Sequence, residues 1–194
     1  MINYIFTISV LTGVYTLVII KKSNNLEVFI LKAKKLTITA LLTALAIVIP
    51  FAVFFKVIIP PFTATLGSHV PMFLSMLLGP KVAIMVGLGS AFGFFLNLGP
   101  IVGLRAFMHV FVGYMGAKYI DKGMSFGKVS LITAPVHGIL EALVIVPFVG
   151  FDVYNILIIT CIGTVLHHGA DAIISYVIIN ALERSRALVF SNNN

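Results

Sequence analysis

The sequence predicts an all-α membrane protein: a six-helix bundle preceded by an extra amino-terminal helix. Of its 194 residues 60% are hydrophobic and only 10% charged, with a mean hydropathy of +1.12, well outside the range of soluble domains. The apolar residues gather in seven stretches separated by proline, glycine or charge, and one membrane-spanning helix takes ~20 such residues. No stretch alternates with a period of two, and backbone facing lipid must satisfy its own hydrogen bonds, so helices rather than a barrel are expected.

Taken in order, the candidate spans are residues 3–20, 36–56, 69–79, 81–97, 100–119, 129–148 and 153–182. The first, "MINYIFTISVLTGVYTLVII", has no basic residues ahead of it, so it reads as an uncleaved anchor with its amino end outside. The connector "KKSNNLEVFILKAKK" after it is polar and basic, which assigns it to the cytoplasm. The second stretch stops at Pro60 and Pro61, and the third, bounded by Pro71 and Gly79, is too short to span unless it is tilted or extended by the preceding loop. Small residues dominate "GLGSAFG" in the fourth, the signature of close helix packing. The organisation is therefore residues 1–32 as anchor and connector, 33–186 as the six-helix domain, and 187–194 as a polar tail ending in "SNNN".

Orientation follows from the basic residues. With the carboxyl end of the last span inside, eleven of the thirteen Lys and Arg residues fall on the cytoplasmic side: Lys21, Lys22, Lys32, Lys34, Lys35, Lys81, Lys118, Lys122, Lys128, Arg184 and Arg186. Lys56 alone lies outside and Arg105 alone lies within a span. Because the basic residues flank apolar segments, they mark topology and no nucleic-acid partner is expected. The single Cys161 leaves no internal disulfide, and no GxxxxGK[ST] phosphate loop occurs. Any work driven by ATP must come from another protein.

Ionisable groups at membrane depth cost at least ~2.5 kcal/mol each on insertion scales and face a cavity or a partner. Here they come in pairs four apart, Arg105 with His109, His137 with Glu141, and His167 with Asp171, each pair on one helix face. Three polar faces on three helices point to one interior site. Arg105 lies about five residues, ~8 Å, inside the outer end of its helix, and Glu141 ~10 Å inside its own. Arg105 can hold the bundle by pairing with Glu141, or grip a carboxylate through two parallel hydrogen bonds. His167, His168 and Asp171, halfway down the last span or further inward, read as structural cross-links. The loop "KVIIPPFTATLGSHVPM" supplies Thr63, Thr65, Ser68 and His69 as hydrogen-bonding groups and reads as a lid, or as an ordinary loop with a helix cap at Ser68. Phe51, Phe54, Phe55 and Phe62 line its approach. No HExxH or HxH spacing is present, so no metal site and no cofactor are expected. Ser90 with a distant histidine is the only hydrolase candidate, and it lacks a nucleophile elbow.

The order "KKLTITALLTALAIVIPF", the polar and aromatic loop, "ATLGSHVPMFLSMLLGPKVAIMVGLGSAFGFFL" and then "IVGLRAFMHVFVGYMGA" resembles the substrate-binding S-components of energy-coupling factor (ECF) vitamin transporters. The likeness runs from about Ala33 to Glu183 and is nearest to the niacin-type group, with pantothenate-type members close by. It implies a six-helix S-component bundle in the bacterial cytoplasmic membrane that takes a vitamin from outside. Its partners would be a transmembrane scaffold subunit, docked through an AxxxA motif matched by Ala40 and Ala44, and two ATPase subunits. It would be a transport protein rather than an enzyme. In that reading Arg105 binds the ligand carboxylate, and His69, Asn97, His109, His137 and Glu141 are further polar contacts. Pantothenate also carries a carboxylate, and an autonomous proton-coupled carrier using His167, His168 and Asp171 is the rival of another class.

Overall fold

The first core helix shows how polar groups are carried through an apolar segment. Thr37 Oγ1 donates to Ala33 O at 3.0 Å and Thr43 Oγ1 to Thr39 O at 2.8 Å, so each hydroxyl is satisfied by the helix that bears it. In the computed structural model, which describes residues 2–185 and side chains from Leu26 onward, this helix, α1, runs unbroken from Ile2 to Ala52. Two spans and a connector were expected there. The difference has a simple cause: Lys, Glu, Leu and Ala are all good helix formers, so charge in "KKSNNLEVFILKAKK" changes what surrounds the backbone without breaking its winding. Arg186 and the tail 187–194 lie outside the described residues.

The chain divides into two compact units after Ile38. Residues up to Ile38 are helical, and from Leu26 to Thr37 every side chain is exposed. The second unit begins at Thr39 with the rest of α1. Pro50 removes one backbone donor near the helix end, and its carbonyl is capped by Lys56 Nζ at 2.7 Å and by the amide of Asn97. The segment read as a lid loop is an antiparallel hairpin of β1 (Lys56–Ile59) and β2 (Phe62–Thr65), turned by the cis-linked Pro60–Pro61. β1 is largely exposed, whereas Phe62, Ala64 and Thr65 of β2 face inward. The tight turn after β2 rests on Gly67, whose φ of 81° lies in the left-handed region open to glycine.

Helix α2 (Val70–Met76) is the third candidate span cut to seven residues, ~10 Å long, and every one of them is buried. It is the centre of the unit: Met72, Phe73 and Met76 pack with Ala83, Val112, Ala117 and Val129 from the three helices that follow. These are α3 (Pro80–Leu98), α4 (Pro100–Asp121) and α5 (Phe126–Val149). The last span opens with a π-helical stretch, Tyr154–Ile162, and continues as α6 (Gly163–Arg184). Among the described residues five helices are long and apolar enough to cross a membrane, and the chain is a multi-pass membrane protein.

Glycines set the closest approaches. A Cβ on Gly87 would stand 2.7 Å from the Val110 backbone nitrogen, and one on Gly93 would overlap the Ile47 backbone, so α3 is pressed against both α4 and α1. "GLGSAFG" is thus the packing face expected of it. A reporter fused after Lys128 is expected in the cytoplasm and one after Asp152 outside, as the basic residues require. Reversed labels would invert the assigned direction of the site.

Candidate functional site

The polar faces of α4, α5 and α6 meet under the hairpin. Arg105, one and a half turns into α4 and only 2% exposed, has every N–H group of its guanidinium engaged. Nε and Nη2 donate to Glu141 Oε2 at 3.1 and 2.6 Å. Nη1 donates to Pro61 O at 3.1 Å and to Thr63 Oγ1 at 3.3 Å, and Nη2 also to Thr63 O at 3.4 Å. The Phe62 ring lies 5.4 Å from the guanidinium carbon, adding a cation–π contact. Thr164 Oγ1 donates to the same Glu141 Oε2 at 2.6 Å. The expected Arg105–Glu141 pair therefore forms, and the hairpin takes up the donors that Glu141 leaves.

Asp171 anchors the other end of the hairpin. Wholly buried, it accepts from the Gly67 backbone at 2.7 Å through Oδ1 and from the His69 backbone at 3.0 Å through Oδ2. The same Oδ2 lies 2.9 Å from His69 Nδ1 and 3.2 Å from His167 Nε2. His167 Nε2 is also 3.1 Å from Thr65 O. These are cross-links within the bundle, and what they hold is the turn Gly67–His69, which descends to meet them.

All five histidines of the chain converge here. The His69 ring centroid lies 4.8 Å from those of His109 and His137, 4.5 Å from His167 and 5.5 Å from His168. His109 Nδ1 is 2.8 Å from Ser90 Oγ, which accounts for Ser90 as a packing-face hydroxyl that orients a histidine. His137 Nδ1 is 3.2 Å from His168 Nδ1, and His168 Nε2 is in turn held by Thr133 Oγ1 and Ser130 O.

Between hairpin and helices lies a cavity of about 20 Å³, room for about one water molecule. Its wall includes Arg105, His109, His69 and Glu141 of the expected set, joined by His167, Thr63, Thr65, Ser68 and Phe94. His137 stands behind this wall, fully buried, with Nε2 3.3 Å from Glu141 Oε1. Asn97 is elsewhere, bound to the Pro50 carbonyl. Of the four phenylalanines expected along the approach, Phe62 reaches the site, while Phe51, Phe54 and Phe55 are exposed, Phe54 almost completely at 96%.

The fold and this chamber define a multi-pass helical membrane protein built around a buried polar site. The chain is 33% identical over 170 residues to the niacin transporter NiaX of Lactococcus lactis subsp. cremoris (strain MG1363), a match covering 79% of this chain and 77% of that one. It belongs to the family of that transporter, the niacin-type ECF S-components. No family model and no solved structure matches it.

Proposed function

We infer that this chain is the substrate-specific membrane subunit of an ATP-driven ECF importer and that it captures niacin, as the carboxylate, from the outer side of the membrane. The observation that carries this reading is the buried Arg105 guanidinium directly under the hairpin. Three of its five hydrogen bonds go to hairpin acceptors, the Pro61 carbonyl and the hydroxyl and carbonyl of Thr63. Those acceptors are neutral. If the hairpin lifts, both Nη1 protons and one Nη2 proton are released on the side a ligand would approach, in the planar fork that suits a carboxylate. Glu141 would stay behind as the counterion. The cavity as it stands has room for a water and not for a pyridine ring, so binding requires that movement, and the hairpin acceptors act as a stand-in for the ligand until it arrives. His69 and His109 on the same wall offer polar contacts to the ring.

The partners in this reading are a scaffold subunit and two ATPase subunits, consistent with a sequence that has no phosphate loop. Ala40 and Ala44 are exposed on the face of α1 opposite Leu42 and Ala46, which pack against Val82 and Val86 of α3. Small residues four apart on an exposed face let a second helix approach closely. Ala40→Trp combined with Ala44→Trp is expected to leave nicotinate binding intact and to stop uptake in cells, and normal uptake by the double variant would remove the docking assignment. The wider proposal is tested in liposomes. The purified chain alone should bind nicotinate yet drive no accumulation, whereas the same liposomes with scaffold and ATPase subunits should accumulate it when ATP is supplied. Concentrative uptake by the chain alone would show an autonomous carrier instead.

A further inference from the structure

We propose that His69, His109 and His137 form a binding site for one divalent transition-metal ion, with a water in the fourth coordination position. One ring nitrogen of each histidine lies within 4.8 Å of those of the other two, and all three side chains are buried. Each ring spends Nδ1 on a neighbour: His69 on Asp171 at 2.9 Å, His109 on Ser90 at 2.8 Å, His137 on His168 at 3.2 Å. That leaves Nε2 of each ring as the nitrogen available to an ion. An outer partner that fixes the ring while the other nitrogen binds is the usual arrangement around histidine-ligated metals, and a carboxylate such as Asp171 is one of the partners used.

Two further observations point the same way. His137 Nε2 is buried without a hydrogen-bond partner, although it lies 3.3 Å from Glu141 Oε1. Such an orphan is costly in an apolar interior and is resolved by a ligand. On Glu141, the bonds from Arg105 and Thr164 all fall on Oε2, which leaves Oε1 facing His137 Nε2 at the edge of the site. Three imidazole nitrogens and a water suit Zn²⁺, Co²⁺ or Ni²⁺. Metal–nitrogen bonds of ~2.1 Å at tetrahedral angles place ligand atoms ~3.4 Å apart, so the rings need draw in by roughly 1 Å. The adjoining cavity of about 20 Å³ accepts an ion or a water as it stands. Spacing along the sequence hid the site because its ligands come from three elements, the turn before α2, α4 and α5.

The inference goes beyond vitamin capture and does not depend on it. The test is titration of Co²⁺ into the purified, metal-free full chain carrying a tag without histidine and with no vitamin present. Visible absorption bands of four-coordinate cobalt are expected, saturating at one ion per chain and bleached by Zn²⁺. Because this is read on the native chain, it does not depend on any variant folding. His109→Asn and His137→Asn are each expected to weaken cobalt binding by ~100-fold or more, with elution and circular dichroism unchanged. Absence of the bands in the native chain overturns the site, and so does cobalt binding by both variants equal to that of the native chain.

Discussion

Arg105→Ala is expected to weaken nicotinate binding by roughly 30-fold to several-thousand-fold, the equivalent of the ~2–5 kcal/mol typical when one partner of a buried charged pair is removed. Arg105→Lys should recover only part of that loss, since lysine keeps the charge and loses the planar fork. The five hydrogen bonds around the guanidinium make a second effect unavoidable: the alanine variant strands Glu141, the Pro61 carbonyl and Thr63 together. Melting temperature should therefore fall as well. Adding Glu141→Gln to Arg105→Ala separates the two roles. A purely structural arginine predicts that the double variant regains both stability and nicotinate affinity, whereas a carboxylate-binding arginine predicts regained stability with affinity still lost. Calorimetry alongside thermal unfolding reads both.

The other large effect is expected at Asp171. Its carboxylate, itself fully buried, receives two backbone N–H groups, from Gly67 and His69, and two histidine rings. Asp171→Ala leaves the descending turn without an anchor and should cost ~3–5 kcal/mol, as breaking a buried charged network commonly does. Asp171→Asn is expected to be little better, because its amide group would present N–H to a backbone N–H or a ring nitrogen that needs an acceptor. The hairpin should then be loose at one end while Arg105 still holds the other. With Cys161 replaced by alanine, an added Ala64→Cys on the inner face of β2 should resist maleimide in the native background and label rapidly in Asp171→Ala. Equal protection in both, with an unchanged melting temperature, would show that Asp171 does not hold the hairpin.

What the sequence reveals and what it hides divide along physical lines. Spanning segments were legible because hydrocarbon imposes a length and a composition on each of them, and α3, α4 and α5 begin and end within a few residues of their expected limits. The Arg105–Glu141 pair was legible because both depths are counted from nearby helix ends. The unbroken α1 was not, since charge marks what solvates a helix and helix formers such as Leu26, Glu27 and Lys32 continue it. The hairpin was missed because its strands are four residues long and turn on two prolines. The β-branched residues Val57, Ile58, Ile59, Thr63 and Thr65 were the available signal. The gathering of five histidines and Asp171 was only half visible. Helix spacing paired His167 with Asp171, but nothing local says that Gly67–His69 would dip to their level, which is a property of the re-entrant hairpin and the seven-residue α2 beneath it.

The central claim, that the chamber is built for the carboxylate of niacin, is tested most directly by calorimetric titration of the unmodified, purified chain with nicotinate and with nicotinamide. The two ligands share ring and size and differ in the charge that Arg105 would meet. Losing one charged, bidentate contact corresponds to about 100-fold in affinity, so nicotinate is expected to bind at least that much more tightly than the amide. Equal affinity for acid and amide, or no binding of either, would contradict the account.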